Sequence, residues 1–390
     1  MAEAGSRPAW AEVDLGAVRH NAAVLRRLAA PAALWAVVKA DGYGHGAAAV
    51  ARAAVEGGAA GLAVATVEEG VELRRAGVAR PVLLLSEPPP DAYDDVVAAG
   101  LVPTLCTGEA VSRAGASARR LGSPVGVHVK VDTGMHRFGA DPASVPALAS
   151  AVRGDPALRL DGLWTHLAVA DGASTEDRAF TAGQLDRFDE VVTQLGTRPK
   201  LLHAANSAAT MAWPRARYDM VRCGIALYGV PPAPGLVPPG LVPVLSLRAR
   251  VVAVRELGAG ERPSYGRLRP LPERSVVATV PIGYADGVPR RLFSTGCSVL
   301  VRGERRPLAG MVTMDHIVVD CGPGSPVAPG DEVTLLGRQG DEEVTAAEWA
   351  GLLGTIGYEV LCGIGSRVPR VPAGEPAGGW RPRLARGGAP

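Results

Sequence analysis

The chain has 390 residues, 47% of them hydrophobic, and sets 41 Lys and Arg against 39 Asp and Glu for a net charge of +2. That length suits two domains or one large barrel with an appendage, and charge spread without blocks offers no argument for nucleic acid or an anionic membrane as partner. No apolar run approaches the ~20 residues that span a bilayer, the first ten residues lack a signal peptide's layout, and five cysteines without CxxC or metal-ligand spacing read as reduced thiols. The expectation is a cytoplasmic protein with no metal site.

Residues 10–15 alternate as a short strand does, and helical spacing follows through Leu15, Val18, Ala22, Leu25 and Leu28. The apolar run 34–38 stops at Lys39 and a glycine-spaced turn. A lysine at the end of a rigid strand is either a snorkelling surface charge or an amine desolvated enough to act as a nucleophile. Further apolar runs at 61–66, 81–86, 102–106, 125–131, 160–166, 200–205 and 218–224 bring the strands to eight. Amphipathic stretches such as 47–56, 67–75, 107–121, 145–152 and 181–195 separate them. This alternation predicts a parallel sheet covered by helices, and eight units predict a (β/α)8 TIM-type barrel over 10–240. An open doubly wound sheet is the competitor, weakened because no dinucleotide glycine fingerprint follows the first strand.

Where these strands end stand Lys39, Lys130 with Asp132 and Arg137, His166, Asn206 with Ser207, and Arg222. Each alone reads as a core or loop residue. Gathered at the carboxyl ends of barrel strands, they predict an active site. Beyond Gly229 a Pro/Gly-rich connection leads to short alternating strands at 246–257, 276–280, 297–302, 316–319 and 332–336. They predict a mostly β domain over 245–370, joined by the N-terminal strand 10–15. The Gly/Pro/Arg stretch 371–390 reads as a disordered tail.

The segment Ala36-Val-Val-Lys-Ala-Asp-Gly-Tyr-Gly-His-Gly46 resembles the pyridoxal-phosphate attachment motif of the alanine racemases. Other stretches match in order: Val129-Lys-Val-Asp-Thr-Gly-Met135 with Arg137-Phe-Gly139, Thr165-His166, His203-Ala-Ala-Asn-Ser-Ala208, Val221-Arg-Cys-Gly-Ile-Ala-Leu-Tyr-Gly229, Ser264-Tyr-Gly266, Ile282-Gly-Tyr-Ala-Asp-Gly287, Met314-Asp315, and Gly354-Thr-Ile-Gly-Tyr-Glu-Val-Leu-Cys362 with Arg367-Val-Pro-Arg370. The resemblance implies a homodimer with shared active sites that racemises alanine and supplies D-alanine for peptidoglycan.

It also implies roles. Lys39 becomes the Schiff-base lysine and a base at one face of the substrate, and Tyr265 of the partner subunit the base at the other. A phenol is a poor base without nearby cations, and the resemblance aligns Tyr265 with His166 and Arg222. Cofactor phosphate falls to Tyr43, the Ser207 hydroxyl, the amides of Gly224 and Ile225, and Tyr358, with Asn206 opening the helix beside them. Arg222 faces the pyridine nitrogen; an arginine only donates, so the nitrogen stays unprotonated and electron withdrawal is weakened. Arg137 and the Met314 amide of the partner subunit hold the substrate carboxylate, Lys130 takes the place of a carbamylated lysine, and Tyr284, with Arg290 and Asp171, lines the entrance. Blander readings stand beside these: Ser207 as a helix cap, Tyr358 as core, Tyr265 as a turn residue.

Three positions depart from the pattern: His136 where glycine is frequent, Met311 where an arginine usually follows glycine, and Gly357 where asparagine is common. They bear on substrate range and rate rather than on reaction type. The competing functions are a broad-specificity or serine racemase, a decarboxylase of basic amino acids, which wants an acidic partner for the ring nitrogen, and a pyridoxal-phosphate carrier without turnover.

Overall fold

The computed structural model describes residues 7–236 and 240–373. Strand β1 (Ala9–Val13) belongs to one unit, 7–15 with 243–373; the chain then builds a second, Gly16–Val242, before returning to the first.

In Gly16–Val242 eight short strands follow one another: β2 (Ala33–Val37), β3 (Gly61–Val64), β4 (Val82–Leu84), β5 (Thr104–Leu105), β6 (Val125–Lys130), β7 (Leu158–Trp164), β8 (Leu201–His203) and β9 (Met220–Cys223). Parallel pairing runs β4-β3-β2-β9 and β5-β6-β7-β8. A bridge from Leu83 to Val102 joins β4 to the approach of β5. Asp219 N–H donates to Leu202 O (3.0 Å) and Arg222 N–H to Ala205 O (2.9 Å), which links β8 to β9 and closes the ring. Helices including Ala47–Glu56, Val67–Arg75, Gly108–Arg120 and Val145–Gly154 supply the crossovers that parallel strands require. Their starts are read from side-chain caps: Thr66 with Glu69 and Ser174 with Asp177 form capping boxes, and Thr107 caps alone. The Ser174 box moves the last long helix to Thr175–Gln194, earlier than its apolar spacing indicates.

Bulky rings fill the barrel and set its glycines. A Cβ on Gly61 would lie 2.6 Å from the Trp35 indole, and one on Gly162 2.5 Å from the His128 ring. Inward positions thus alternate large and absent side chains, as a narrow closed sheet demands.

The other unit holds two sheets. β10 (Leu245–Arg250) lies antiparallel to β1, with Ala9 opposite Ala249. Around that pair stand β13 (Ser298–Val301), β14 (Glu304–Pro307), β16 (Glu332–Gln339), β17 (Glu342–Val344) and β18 (Arg370–Pro372). β11 (Ala253–Leu257), β12 (Ser275–Val280) and β15 (Ile317–Asp320) form the second sheet. The stretch 246–257 is therefore two strands rather than one. Val251 N–H donates to Asp331 O and Val252 N–H to Thr279 O, so adjacent residues bond to different sheets and the chain turns between them. β14 reads Glu-Arg-Arg-Pro at a sheet edge, where charge and proline replace the apolar alternation that reveals a strand. β18 reaches into the first residues of the stretch read as a tail, whose remainder, 374–390, lies outside the described residues. No helix among the described residues is long and apolar enough to cross a membrane. The five cysteines are present as thiols, four of them buried and Cys362 exposed.

Candidate active site

β2 ends at Val37, and Lys39 opens a turn rather than ending the strand. Ala40, Asp41, Gly42 and Tyr43 all adopt left-handed helical backbone, with φ between 50° and 62°. For each residue with a Cβ that conformation costs roughly 1–2 kcal/mol, so the surroundings must impose it. Gly42 N–H donates to Val38 O (2.9 Å) and Gly46 N–H to Asp41 O (2.9 Å). Side chains hold the rest: Asp41 Oδ1 accepts from Ala47 N–H (2.8 Å) and Glu69 Oε1 from Ala40 N–H (2.6 Å). Strain held this firmly next to a nucleophile-type residue is characteristic of functional sites.

Arg222, on β9, is buried. Its Nη1 donates to His203 Nδ1 (2.7 Å), and its Nη2 to Thr165 O and Ala204 O (3.0 Å each), with His166 Nδ1 at 3.4 Å. Arginine has donors only, so His203 Nδ1 accepts and its proton sits on Nε2, which donates to His128 Nδ1 at 2.9 Å. Burial holds His128 at about 4 and, ahead of the Arg222 charge, pushes His203 well below the ordinary range, so both rings are neutral. Burial lowers Arg222 to about 9, leaving it a cation at neutral pH. The Trp164 ring carries two cations, Arg222 Cζ and Lys130 Nζ each 4.5 Å from its centroid.

Lys130 is buried, and burial together with the Arg222 and Arg137 charges brings its pKa down to about 8. His166 is pushed well down by burial first and then by Arg222, Lys130, Arg137 and Lys39. One imidazole therefore feels four cations from three strand ends, those of β2, β6 and β9, which makes this mouth a place for anions. The fully buried Gln184 fixes the segment: its Oε1 accepts from Ala168 N–H (2.9 Å) and its Nε2 donates to His166 O (3.1 Å). Arg137 is exposed at the end of the 132–137 turn, where Asp132 accepts from Gly134 and His136 N–H groups. His136 takes φ 52° there, the backbone a glycine adopts freely.

A second cluster lies at the end of β8 and β9. Asn206 caps the helix Ser207–Ala212 through its Oδ1 to Ala209 N–H (2.9 Å), so Ser207 is the first helical residue and not the cap. Its buried Oγ instead accepts from Gly224 N–H (3.1 Å) and Ala226 N–H (3.4 Å). A Cβ on Gly224 would fall 2.3 Å from the Tyr43 hydroxyl. Glycine there lets a phenol, a serine hydroxyl and the Gly224 and Ala226 amides converge, with the buried Ile225 between those two in the chain. That donor set, beside four cations, fits the phosphate and carboxylate of a pyridoxal-phosphate and amino-acid pair.

Tyr265, Tyr284, Met314 and Tyr358 belong to the other unit. Tyr265 lies in a short 3-10 turn beside Ser264, whose φ is 68° and whose Oγ donates to Met311 O (2.7 Å). Gly310 is pressed on that turn, since a Cβ would stand 2.4 Å from Pro263 O. Tyr284 N–H donates to Thr313 O (2.9 Å) and Ala285 N–H to Met314 O (3.1 Å), so two separate sequence motifs form one platform. Beneath it the fully buried Asp286 accepts from Gly283 N–H (2.9 Å) and pairs with Arg7 and Arg367. Tyr358 is half-buried in the helix Gly357–Cys362.

Sequence reasoning assigned no role to His128, His203, Gln184 or Glu69. His203 stands in a matching motif, and His128 shares the inward parity of Lys130 on β6. Gln184 carries no local signal, and Glu69 shows only its capping-box spacing after Thr66, because the groups they grip at Ala168, His166 and Ala40 lie in other segments.

The description "Alanine racemase, N-terminal domain" matches residues 13–232, and "Alanine racemase, C-terminal domain" residues 244–372. The chain is 49% identical to an alanine racemase of Symbiobacterium thermophilum, over 96% of this chain and 99% of the relative. It is 44% identical to one of Sorangium cellulosum, over 93% and 98%. Among solved structures, alanine racemase from Streptomyces coelicolor A3(2) superposes with a TM-score of 0.88 at 42% identity, covering 95% of this chain and 99% of that one. Alanine racemase from the D-cycloserine-producing Streptomyces lavendulae gives 0.86 at 38%, covering 95% and 98%. With both domains matched in order and relatives this close along nearly the whole length, the chain belongs to the alanine racemase family of isomerases.

Proposed function

We propose that the protein interconverts L- and D-alanine with pyridoxal 5′-phosphate by a two-base mechanism, as a cytoplasmic homodimer that provides D-alanine for peptidoglycan. The observation that carries this reading is the buried, donor-only Arg222 locked to His203, Thr165 and Ala204 at the barrel mouth. Pyridoxal phosphate, when bound, supplies the electron sink that acidifies the Cα–H bond. Arg222 cannot give up a proton to that ring, so withdrawal stays shallow and the Cα proton is returned promptly.

Lys39 Nζ takes or returns that proton on one face, and the hydroxyl of Tyr265 of the partner subunit on the other. His166, kept neutral by burial and four cations, orients that hydroxyl. The Ser207 hydroxyl, the Gly224 and Ile225 amides, Tyr43 and Tyr358 hold the phosphate, with Asn206 fixing the helix that presents Ser207. Arg137, which has no ion-pair partner among the described residues, holds the substrate carboxylate with the Met314 amide of the partner subunit, and Tyr284 lines the entrance. Lys130, at about 8, has an amine fraction at neutral pH able to add CO2; the resulting carbamate orients Arg137.

In deuterium oxide, either enantiomer of alanine should lose optical rotation and take up deuterium at Cα. A protein that binds the cofactor and leaves both enantiomers unchanged overturns the proposal, and exchange confined to serine reassigns its substrate.

A further inference from the structure

The left-handed turn after Lys39 is consecutive over four residues, three of them with a Cβ, and such a run does not form from local preference. One side chain from another segment grips its first residue. Glu69, on the helix Val67–Arg75, accepts the Ala40 N–H with Oε1 (2.6 Å), while its Oε2 accepts Ala65 N–H (2.8 Å) and Thr66 N–H (3.2 Å). Ala65 and Thr66 immediately follow β3, which pairs with β2. The carboxylate is thus a clamp between the end of one barrel strand and the residue next to Lys39. On the other side of Lys39, Val38 N–H donates to Ala63 O (2.9 Å), so both neighbours of the lysine are tied to the same stretch of β3 and its exit.

We infer that Glu69 is a positioning residue for Lys39. Resting on the reading of Lys39 as the point of cofactor attachment, the inference assigns the clamp the task of holding the turn in its left-handed form, so that the amine is presented in one place. A carboxylate suits this because it offers two acceptor oxygens and no donor to three N–H groups. An amide of the same shape turns one oxygen into an NH2 that faces donors.

Glu69 also completes an ordinary capping box with Thr66, whose Oγ1 accepts Glu69 N–H (3.3 Å). The two roles separate by mutation. Thr66→Ala removes the cap and keeps the carboxylate; Glu69→Gln keeps the cap's shape and breaks the clamp. Full-length wild type, Glu69→Gln, Thr66→Ala and Lys39→Ala are stripped of cofactor with hydroxylamine and returned to pyridoxal phosphate. The readouts are the rate of appearance of the yellow attached form, the labelled fraction after borohydride reduction by intact mass, and the thermal midpoint.

Attachment should slow about tenfold or more in Glu69→Gln, as for loss of a charge-assisted bond, and run at the wild-type rate in Thr66→Ala. Equal rates in those two variants overturn the inference and leave Glu69 a helix cap. If Glu69→Gln does not fold, Ala40→Gly/Glu69→Gln is read in its place, since glycine takes left-handed backbone without a Cβ penalty; slower attachment than Thr66→Ala upholds the clamp and equal attachment overturns it. Labelling of Lys39→Ala at the same site count as wild type overturns the reading of Lys39 itself, and the clamp's purpose with it.

Discussion

In Gly16–Val242 the cluster around Arg222 is buried, Arg222 and Lys130 being each 3% exposed and His203 fully enclosed, while Arg137 of the same unit is exposed. In the other unit Tyr265 is 74% exposed, Met314 52% and Tyr284 42%, although the Tyr284 N–H and the Met314 carbonyl are each hydrogen-bonded in the platform beneath. One unit has completed its environment with its own side chains. The other holds a rigid platform and turns large side chains outward, which is what a site finished by a second surface requires. Buried polar groups must satisfy each other, so their chemistry and their contribution to stability are inseparable. Exposed groups on a firm base can be changed for function alone.

Tyr265→Phe is the sharpest test of that contrast. Removing one hydroxyl from an exposed ring should lower racemisation by roughly 10²–10⁴-fold, the usual range for a lost acid/base group, with no change in thermal midpoint. A fall in the midpoint comparable to that of a buried substitution would dissolve the distinction. Arg222→Gln should lose activity and stability together, the latter by roughly 3 kcal/mol or more, because His203 Nδ1, Thr165 O and Ala204 O lose donors in the interior. Denaturant unfolding followed beside activity measures both.

Acidification should act on the barrel unit. His128, held at about 4, and His203 stay neutral in the fold but protonate near 6.5 once unfolded. The unfolded chain therefore binds more protons between pH 6.5 and 4, and stability present above 6.5 is lost as pH falls through that window. His316, the histidine of the other unit, is exposed. Calorimetry across this range should move a barrel transition and leave a transition of the other unit in place; parallel shifts would contradict the assignment. The smallest effect is expected from Asn206→Ala, about 1 kcal/mol for a lost helix cap, with weaker retention of cofactor phosphate because Ser207 follows directly. Urea unfolding and cofactor titration check the two halves of that expectation.

Much of this was legible in residue order. Apolar runs at strand length marked all eight barrel strands, since a strand covered on both faces can hardly be anything but apolar. Alternation marked the half-covered strands of the other unit and failed at β14 and β17, whose edge positions favour charge. The break at Val251 and Val252 escaped because both residues are apolar and only their bonding partners, Asp331 and Thr279, distinguish two strands from one. Motifs located Lys39, Arg222 and Ser207. They did not reveal that Asn206 rather than Ser207 caps the helix, a matter of one residue's backbone angles.

By itself, then, the order of residues determined the element types, the two-unit plan and the family, because these follow from periodicity and from short contiguous motifs. Tertiary structure decided the left-handed turn after Lys39, the His128–His203–Arg222 chain with its tautomers, and the grips of Gln184 and Glu69. Each joins groups 16 to 75 positions apart. Left-handed Ala, Asp and Tyr run against local preference, and a buried polar group takes whatever partner the packed fold brings within reach.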